Sequence, residues 1–370
     1  MYKRWGAACC LVVAMGTFRP AWGQKLTVLM YAVASAGSIA DFQAHARQMD
    51  VIAPQVLSMD GEGRVSGSVP EGIARLAARE HVRLMPLVTN AGFNMRLMDR
   101  VLHSPAAGRR MIRELGRQGS AGRWWGVQFD FEHIPARDRD RYSGLVAEAE
   151  RAFHRRGLKF SVTIVPRLSG DPQAFSAGGW DDWSGVFDYP SLGAHTDFVT
   201  LMTYSEHSGV TAPGPISGMP WIRASVEYAL RFMPANKISI GAAFYSNEWI
   251  GKAGQPVPPV PAIPLRYAPL HPSPWRARGG NSGWATALWQ QAPGRWDRQQ
   301  QAYVTVRRSA AETQVIWWSR ARSLSALVQW ARQLHLAGIS AWRLGQEDPA
   351  VWRILPGAAE TVTRPPPAPL

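Results

Sequence analysis

The amino-acid sequence predicts an α/β fold: a (β/α)8 TIM barrel with a small insertion after the seventh strand. Three observations carry that expectation. Strand-like apolar segments fall at residues 26–33, 51–59, 82–89, 125–131, 158–165, 198–204, 238–244 and 338–342. Several are nearly continuous apolar runs, the pattern of parallel strands covered on both faces. Between them lie helical stripes. Tyr142, Leu145, Val146, Ala149 and Phe153 recur at helical spacing, as do Leu324, Leu327, Val328, Ala331 and Leu334, and more weakly Ile73, Leu76 and Ala77. Strand followed by helix, about eight times over, is the signature of the barrel. A doubly wound open sheet is the competing fold.

The elements follow in chain order. Lys3 and Arg4 precede an apolar stretch over residues 6–17, and Ala21-Trp22-Gly23 offers small residues at cleavage spacing. Residues 1–23 therefore read as a signal peptide, with Gln24 the first mature residue. The apolar stretch is too short for a permanent membrane helix, so no stable membrane span is expected after its removal. The expected location is secreted, periplasmic or in the cell envelope. Both cysteines, Cys9 and Cys10, fall inside this segment. The mature chain then relies on its core rather than on disulfides. The barrel is expected over residues 24–357, interrupted by the insertion at about residues 247–312. That stretch is rich in Pro and Gly between residues 251 and 278, including PVPPVPAIP, and regains helix- and strand-like pieces near residues 284–306. It reads as a long excursion from the barrel. Residues 358–370, ending in RPPPAPL, read as a Pro-rich disordered tail. The chain has no internal repeat, and a monomer is expected.

Composition excludes several classes. The chain has 370 residues, 46% hydrophobic and 18% charged, an ordinary globular balance with enough length for a large core. The formal charge of +14 reads as an Arg-rich solvated surface, or one suited to an anionic envelope polymer. No nucleic-acid motif accompanies it, so no nucleic-acid partner is expected. The 17 Trp residues are mostly core material, although Trp clusters also mark sugar sites. The sequence lacks HExxH, a P-loop, GxGxxG after a strand and a GxSxG elbow, and its His residues form no ligand-like cluster. No cofactor or metal is therefore expected.

The segment WGVQFDFEHIP poses the functional question. Alternation puts Gln128, Asp130 and Glu132 on one face of a strand and Val127, Phe129 and Phe131 on the other. Buried unpaired charge is costly, so two neighbouring carboxylates need a reason. The C-terminal ends of barrel strands form the active site, and Asp130 and Glu132 stand at such an end. Two carboxyls there share a proton, so one stays protonated near neutral pH, as a general acid must. A structural pair bound to loop amides or an Arg is the plainer alternative. The alternating charges of Arg137, Asp138, Arg139, Asp140 and Arg141 read as a solvated helix start.

This segment resembles the catalytic strand of glycoside hydrolase family 18, D-x-x-D-x-D-x-E, and most closely its spore-cortex-lytic and peptidoglycan hydrolase branch. PLVTN at residues 86–90, the run DYPSLGAHTDFVTLMTYSEH at residues 188–207, GMPW, NKISIGAAFY, VIWWSRARSL and GISAWRLGQEDP follow in the order of that branch. The resemblance implies substrate-assisted retaining cleavage of β-linked N-acetylglucosamine bonds, in which the sugar's own acetamide attacks the anomeric carbon. Glu132 aligns with the general acid/base. Asp130 aligns with the carboxylate that orients the acetamide. Tyr204, in Met202-Thr203-Tyr204, matches the tyrosine that holds the acetamide oxygen. Trp342 aligns with the floor of a sugar subsite. Gln128, Met202, Ser205, Asn90 and Tyr245 are the further substrate-binding candidates, with Met202 more a packing residue. Glu206 and His207 fit a cleft lining or a solvated loop equally well.

Three departures stand out. Trp125 and Gln128 occupy the family's first and middle Asp positions, and Gln128 cannot take a proton. Ser205 replaces the acid after the tyrosine. Ser319 and Arg320 stand where acids are usual. The sequence thus implies an exported hydrolase acting on an N-acetylated glycan, peptidoglycan fragments ahead of chitin. The alternative is an attenuated or inactive barrel that only binds such glycans. A deacetylase on the same fold is disfavoured by the missing metal ligands.

Overall fold

The computed structural model describes residues 25–175, 178–261, 274–280, 289–291 and 293–355. The expected signal peptide at residues 1–23, the expected Pro-rich tail and part of the Pro-rich excursion lie outside the described residues.

Parallel strands close into a ring. In chain order they are β1 (Thr27–Ala32), β2 (Val51–Met59) with the two-residue antiparallel β3 (Val65–Ser66) on its end, then β4 (Arg83–Leu84) and β5 (Leu87–Asn90), which share one position. After them come β6 (Gly126–Asp130), β7 (Lys159–Ile164), β8 (Phe198–Leu201) and β9 (Ile238–Ala243). The last barrel strand pairs with both β9 and β1, and β1 pairs with β2, which leaves the ring without an edge. The expected third strand is divided because Pro86 has no N–H to give; its carbonyl still accepts from the Gln128 N–H at 3.1 Å.

Helices α1 (Ala36–His45), α2 (Glu71–Arg79), α3 (Met95–Leu102), α4 (Pro105–Ala121), α5 (Arg139–His154), α6 (Tyr189–Ala194) and α7 (Met219–Leu230) are described around the ring. The stripe of α5 is buried as its spacing predicts. Val127, Phe129 and Phe131 belong to the same buried cluster as that stripe, between ring and helices. Inside the ring a smaller apolar cluster forms from Leu29, Tyr31, Val51, Ala53, Met85 and Leu87.

Two regions differ from expectation. The strand at residues 198–204 ends at Leu201. Beyond it the Thr203 N–H bonds the Leu201 carbonyl and the Tyr204 N–H the Met202 carbonyl, each at 2.7 Å. Two successive three-residue turns thus carry Tyr204 out of the strand. The excursion contains a second sheet. Its strands are β10 (Ser246–Lys252), β11 (Arg276–Gly280), β12 (Arg295–Asp297), β13 (Ala302–Arg308) and β14 (Glu312–Trp318), all antiparallel in the order β11-β10-β14-β13-β12. Trp249, Trp275, Val315 and Trp317 form its own core. The chain then returns to the barrel through α8 (Ala321–Gln333) and the final strand β15 (Gly338–Trp342).

Candidate active site

The site begins with the register of β6. Gln128 and Asp130 point into the ring, and Glu132 follows just past the strand end. Their depths differ. Gln128 is wholly buried. The Tyr31 hydroxyl donates to its Oε1 at 2.9 Å, and its Nε2 donates to Ser161 Oγ at 2.8 Å and Thr200 Oγ1 at 3.3 Å. Thr200, Ser340 and Ser239 continue the chain of hydrogen bonds across the ring. Gln128, expected as a substrate contact, is instead held in the barrel interior with its side-chain oxygen and nitrogen both hydrogen-bonded, and it does not line the cleft described below.

Asp130 is next up and almost as buried. The Thr163 hydroxyl on β7 donates to its Oδ1 at 2.5 Å. Burial pushes the Asp130 carboxyl up to about 6, against the pull of that hydrogen bond. Glu132 lies at the rim. Burial, and then the negative charge of Asp130, push its carboxyl up to about 8. Of the pair, Glu132 is therefore the carboxyl that keeps its proton the longer as pH rises, and Asp130 the one that gives its proton up first.

Asn90, at the end of β5, is also wholly buried and differs from its expected role as a sugar contact. Its Oδ1 accepts from the Glu132 N–H and its Nδ2 donates to the Glu132 carbonyl, both at 3.0 Å. Both bonds hold the acid's backbone. His133 follows at φ 54°, a left-handed turn that His tolerates better than most residues.

Tyr204 faces this pair. Its hydroxyl is raised well above the usual range, first by burial and then by the charges of Tyr31, Asp130, Tyr245 and Glu132. It lies so close to β9 that a Cβ on Gly241 would sit 2.8 Å from its ring. Ser205 is exposed, and its Oγ meets the Tyr245 hydroxyl at 2.6 Å. Trp342 stands on the β15 side of the rim, half-buried, with its ring centroid 5.5 Å from that of Tyr31.

Above the β6–β8 side opens a cleft of roughly 660 Å³, enough for a sugar unit or more. Glu132, Met202, Tyr204 and Ser205 border it. Glu206, offered by the sequence as a possible cleft lining, also borders it; the sequence did not single out three further aromatic walls, His133, Trp183 and Trp221. Trp183 packs on the His133 ring with centroids 4.8 Å apart. It lies in a π-helical turn, Trp180–Ser184, that Arg167 holds down. That guanidinium is buried over Tyr189 and Trp180, at 4.5 and 5.4 Å, and donates to the Phe187 carbonyl at 2.7 Å. No periodicity in GGWDDW announces such a wall. Away from the cleft, the charge run at residues 137–141 is not wholly solvated: Asp138 is fully buried, 3.5 Å from both His103 and Arg141.

Two neighbouring carboxyls at the barrel's rim, the outer one pushed toward its protonated form, frame acid catalysis, and the family assignment agrees. The family model for Glycosyl hydrolases family 18 matches residues 24–347. The chain belongs to that family. It is a glycoside hydrolase. A curated relative, the cortical fragment-lytic enzyme of Bacillus subtilis, is 30% identical over 281 residues, covering 75% of this chain and 60% of that protein. The uncharacterized glycosylase YvbX of the same organism is 24% identical over 363 residues, covering 95% of this chain and 98% of the relative. Among solved structures, the spore cortex-lytic enzyme SleL of Bacillus cereus matches with a TM-score of 0.76 at 22% identity, over 90% of this chain and 74% of that one. A chitinase from Chromobacterium violaceum matches with a TM-score of 0.75 at 23% identity, over 90% and 98%. At these identities the structural likenesses speak for the fold. Among the described residues no helix is long and apolar enough to cross a membrane.

Proposed function

We propose that this protein is an exported hydrolase that cleaves β-linked N-acetylglucosamine bonds, in peptidoglycan fragments ahead of chitin, by substrate-assisted retaining catalysis. The observation that carries the reading is the placement of Glu132: fixed through its backbone by Asn90, open to the cleft, and beside Asp130, whose charge together with burial pushes the Glu132 carboxyl toward its protonated form. In this reading Glu132 protonates the departing glycosidic oxygen. The acetamide oxygen of the bound sugar closes on the anomeric carbon, with Tyr204 holding that oxygen in line. Asp130, ionised and fixed by Thr163, accepts the acetamide N–H and balances the positive charge that develops. Glu132, now a base, activates water, and the ring-closed intermediate opens with retention. The indole of Trp342 offers an apolar face to a sugar ring at the rim. The basic charge of the chain and the leader-like residues 1–23 favour an anionic envelope as the setting.

Ser205 favours a second reading, a barrel that binds N-acetylated glycans with little turnover, because the usual acid is absent there. Glu132→Gln tests the first. Hydrolysis of labelled N-acetylglucosamine oligomers is expected to vanish while binding survives. Equal loss of both assigns Glu132 a structural role, and wild-type protein that holds these oligomers for days without shortening them leaves only the binding reading.

A further inference from the structure

The loop between β8 and α7 brings a further acid to the cleft, one the mechanism above leaves unused. Glu206 borders the same cavity as Glu132 and Tyr204. Its Oε2 accepts a hydrogen bond from the Gly218 N–H at 2.7 Å. Its Oε1 makes no hydrogen bond among the described residues. The preceding Ser205 has φ 63°, a left-handed conformation uncommon outside glycine, which bends the chain between Tyr204 and Glu206.

The placement is rigid. The Glu206 N–H bonds the Ile216 carbonyl at 2.9 Å and closes the loop on itself. The insertion sheet braces it from outside: Trp249 Nε1 donates to the Thr211 carbonyl at 3.2 Å and Asn247 Nδ2 to the His207 carbonyl at 3.4 Å. Gly218 leaves room for the carboxyl, since a Cβ there would lie 2.8 Å from Oε2. The titratable neighbours are His207, kept neutral by burial, and the cleft carboxyls of Glu132 and Asp182. Burial pushes the Glu206 carboxyl up to about 8, against the Gly218 hydrogen bond. Because Oε2 accepts the Gly218 N–H, the proton belongs on Oε1.

We propose that Glu206 is a substrate-contacting residue: its carboxyl, anchored through Oε2, donates its hydrogen from Oε1 to an oxygen acceptor of a bound N-acetylated sugar. The proposal rests on the glycan reading above. It assigns the loop an acid one residue beyond Ser205, presented by the left-handed turn.

A glutamine at this position keeps the geometry, with its carbonyl for Gly218 and its amide N–H for the sugar; an alanine keeps neither. With N-acetylglucosamine oligomers as the probe, Glu206→Ala is expected to raise KM about five- to tenfold with a smaller change in kcat. Glu206→Gln is expected to stay close to wild type. Both are also made in a Glu132→Gln background, where oligomer binding is measured without turnover, and each variant's thermal midpoint is recorded. A parent that binds the oligomers while Glu206→Ala binds them equally well overturns the Glu206 proposal alone. So does Glu206→Gln failing as badly as Glu206→Ala. A parent that binds none of them overturns the glycan reading and this proposal together.

Discussion

Asn90→Ala probes the clamp on the acid without touching any group of the proposed chemistry. The substitution removes an acceptor from the Glu132 N–H and a donor from the Glu132 carbonyl, both 3.0 Å bonds made by a wholly buried side chain. Each stranded backbone group is worth about 1–3 kcal/mol when buried. Glu132 is only partly buried, so water recovers some of this, and a loss of about 2–4 kcal/mol is expected from chemical unfolding. The effect on rate is expected to be larger than stability alone explains. A shift of about 1 Å in a reacting group costs on the order of 10² in rate, so kcat should fall by about that factor while KM changes little. Asn90→Asp separates the two contributions. It keeps the acceptor for the N–H, loses the donor to the carbonyl, and adds a negative charge beside Asp130 and Glu132. That charge raises the Glu132 carboxyl further and moves the alkaline limb of the pH–rate profile upward. A stability loss in Asn90→Ala with kcat unchanged would show that the clamp serves the fold and not the acid, and would refute the positioning argument.

The remaining expectations concern the carboxyl pair. Asp130→Asn is expected to lower kcat by roughly 10²–10⁴ with the fold intact, since it removes the charge that steadies the intermediate and helps keep Glu132 protonated; a drop of less than tenfold refutes that role. Activity is expected to fall as pH rises through the Glu132 value of about 8, where the acid loses its proton. Stability should follow the same sense. Burial raises the carboxyls of Asp130, Glu132, Glu206 and Glu347 above their ordinary values of 3.8 to 4.5, so between those limits the folded state holds more protons than the unfolded chain. Stability is then fullest below the ordinary carboxylate range and declines as pH climbs to about 8, against the opposite contribution of Asp197 and other carboxyls whose values are lowered. Thermal midpoints that rise steadily from about pH 5 to pH 8 would contradict this.

The ring of strands was legible because parallel strands, buried on both faces, announce themselves as apolar runs. Where strands were misjudged the cause is local. Pro86 interrupts a run that is otherwise continuous, and the residues Met202 to Tyr204 look strand-like while their hydrogen bonds close tight turns. The insertion sheet was obscured by the prolines and glycines around it, although AYVTVRR and ETQVIWW pair side by side as β13 and β14. Within the site, alternation assigned Gln128 and Asp130 to the inward face of β6, but alternation carries no information about depth. Depth is what separates Gln128, locked below, from Glu132, open above. Asn90 shows the same limit: the end of a strand locates a residue near the rim without saying whether its amide turns to sugar or to backbone. For Glu206 the sequence left cleft lining and solvated loop equally open; the choice depended on the backbone at Ser205, which composition does not encode.

The insertion sheet has a consequence for how this enzyme diverges. Its first and last strands, β10 and β14, run side by side, Asn247 opposite Trp317, so the chain leaves the barrel and rejoins it at nearly one point. Such a module can drift in size and composition without opening the ring. Through Trp249 and Asn247 it also leans on the loop after Tyr204. A change at a remote tryptophan can therefore shift the wall of the cleft while the carboxyls of β6 and its rim stay untouched.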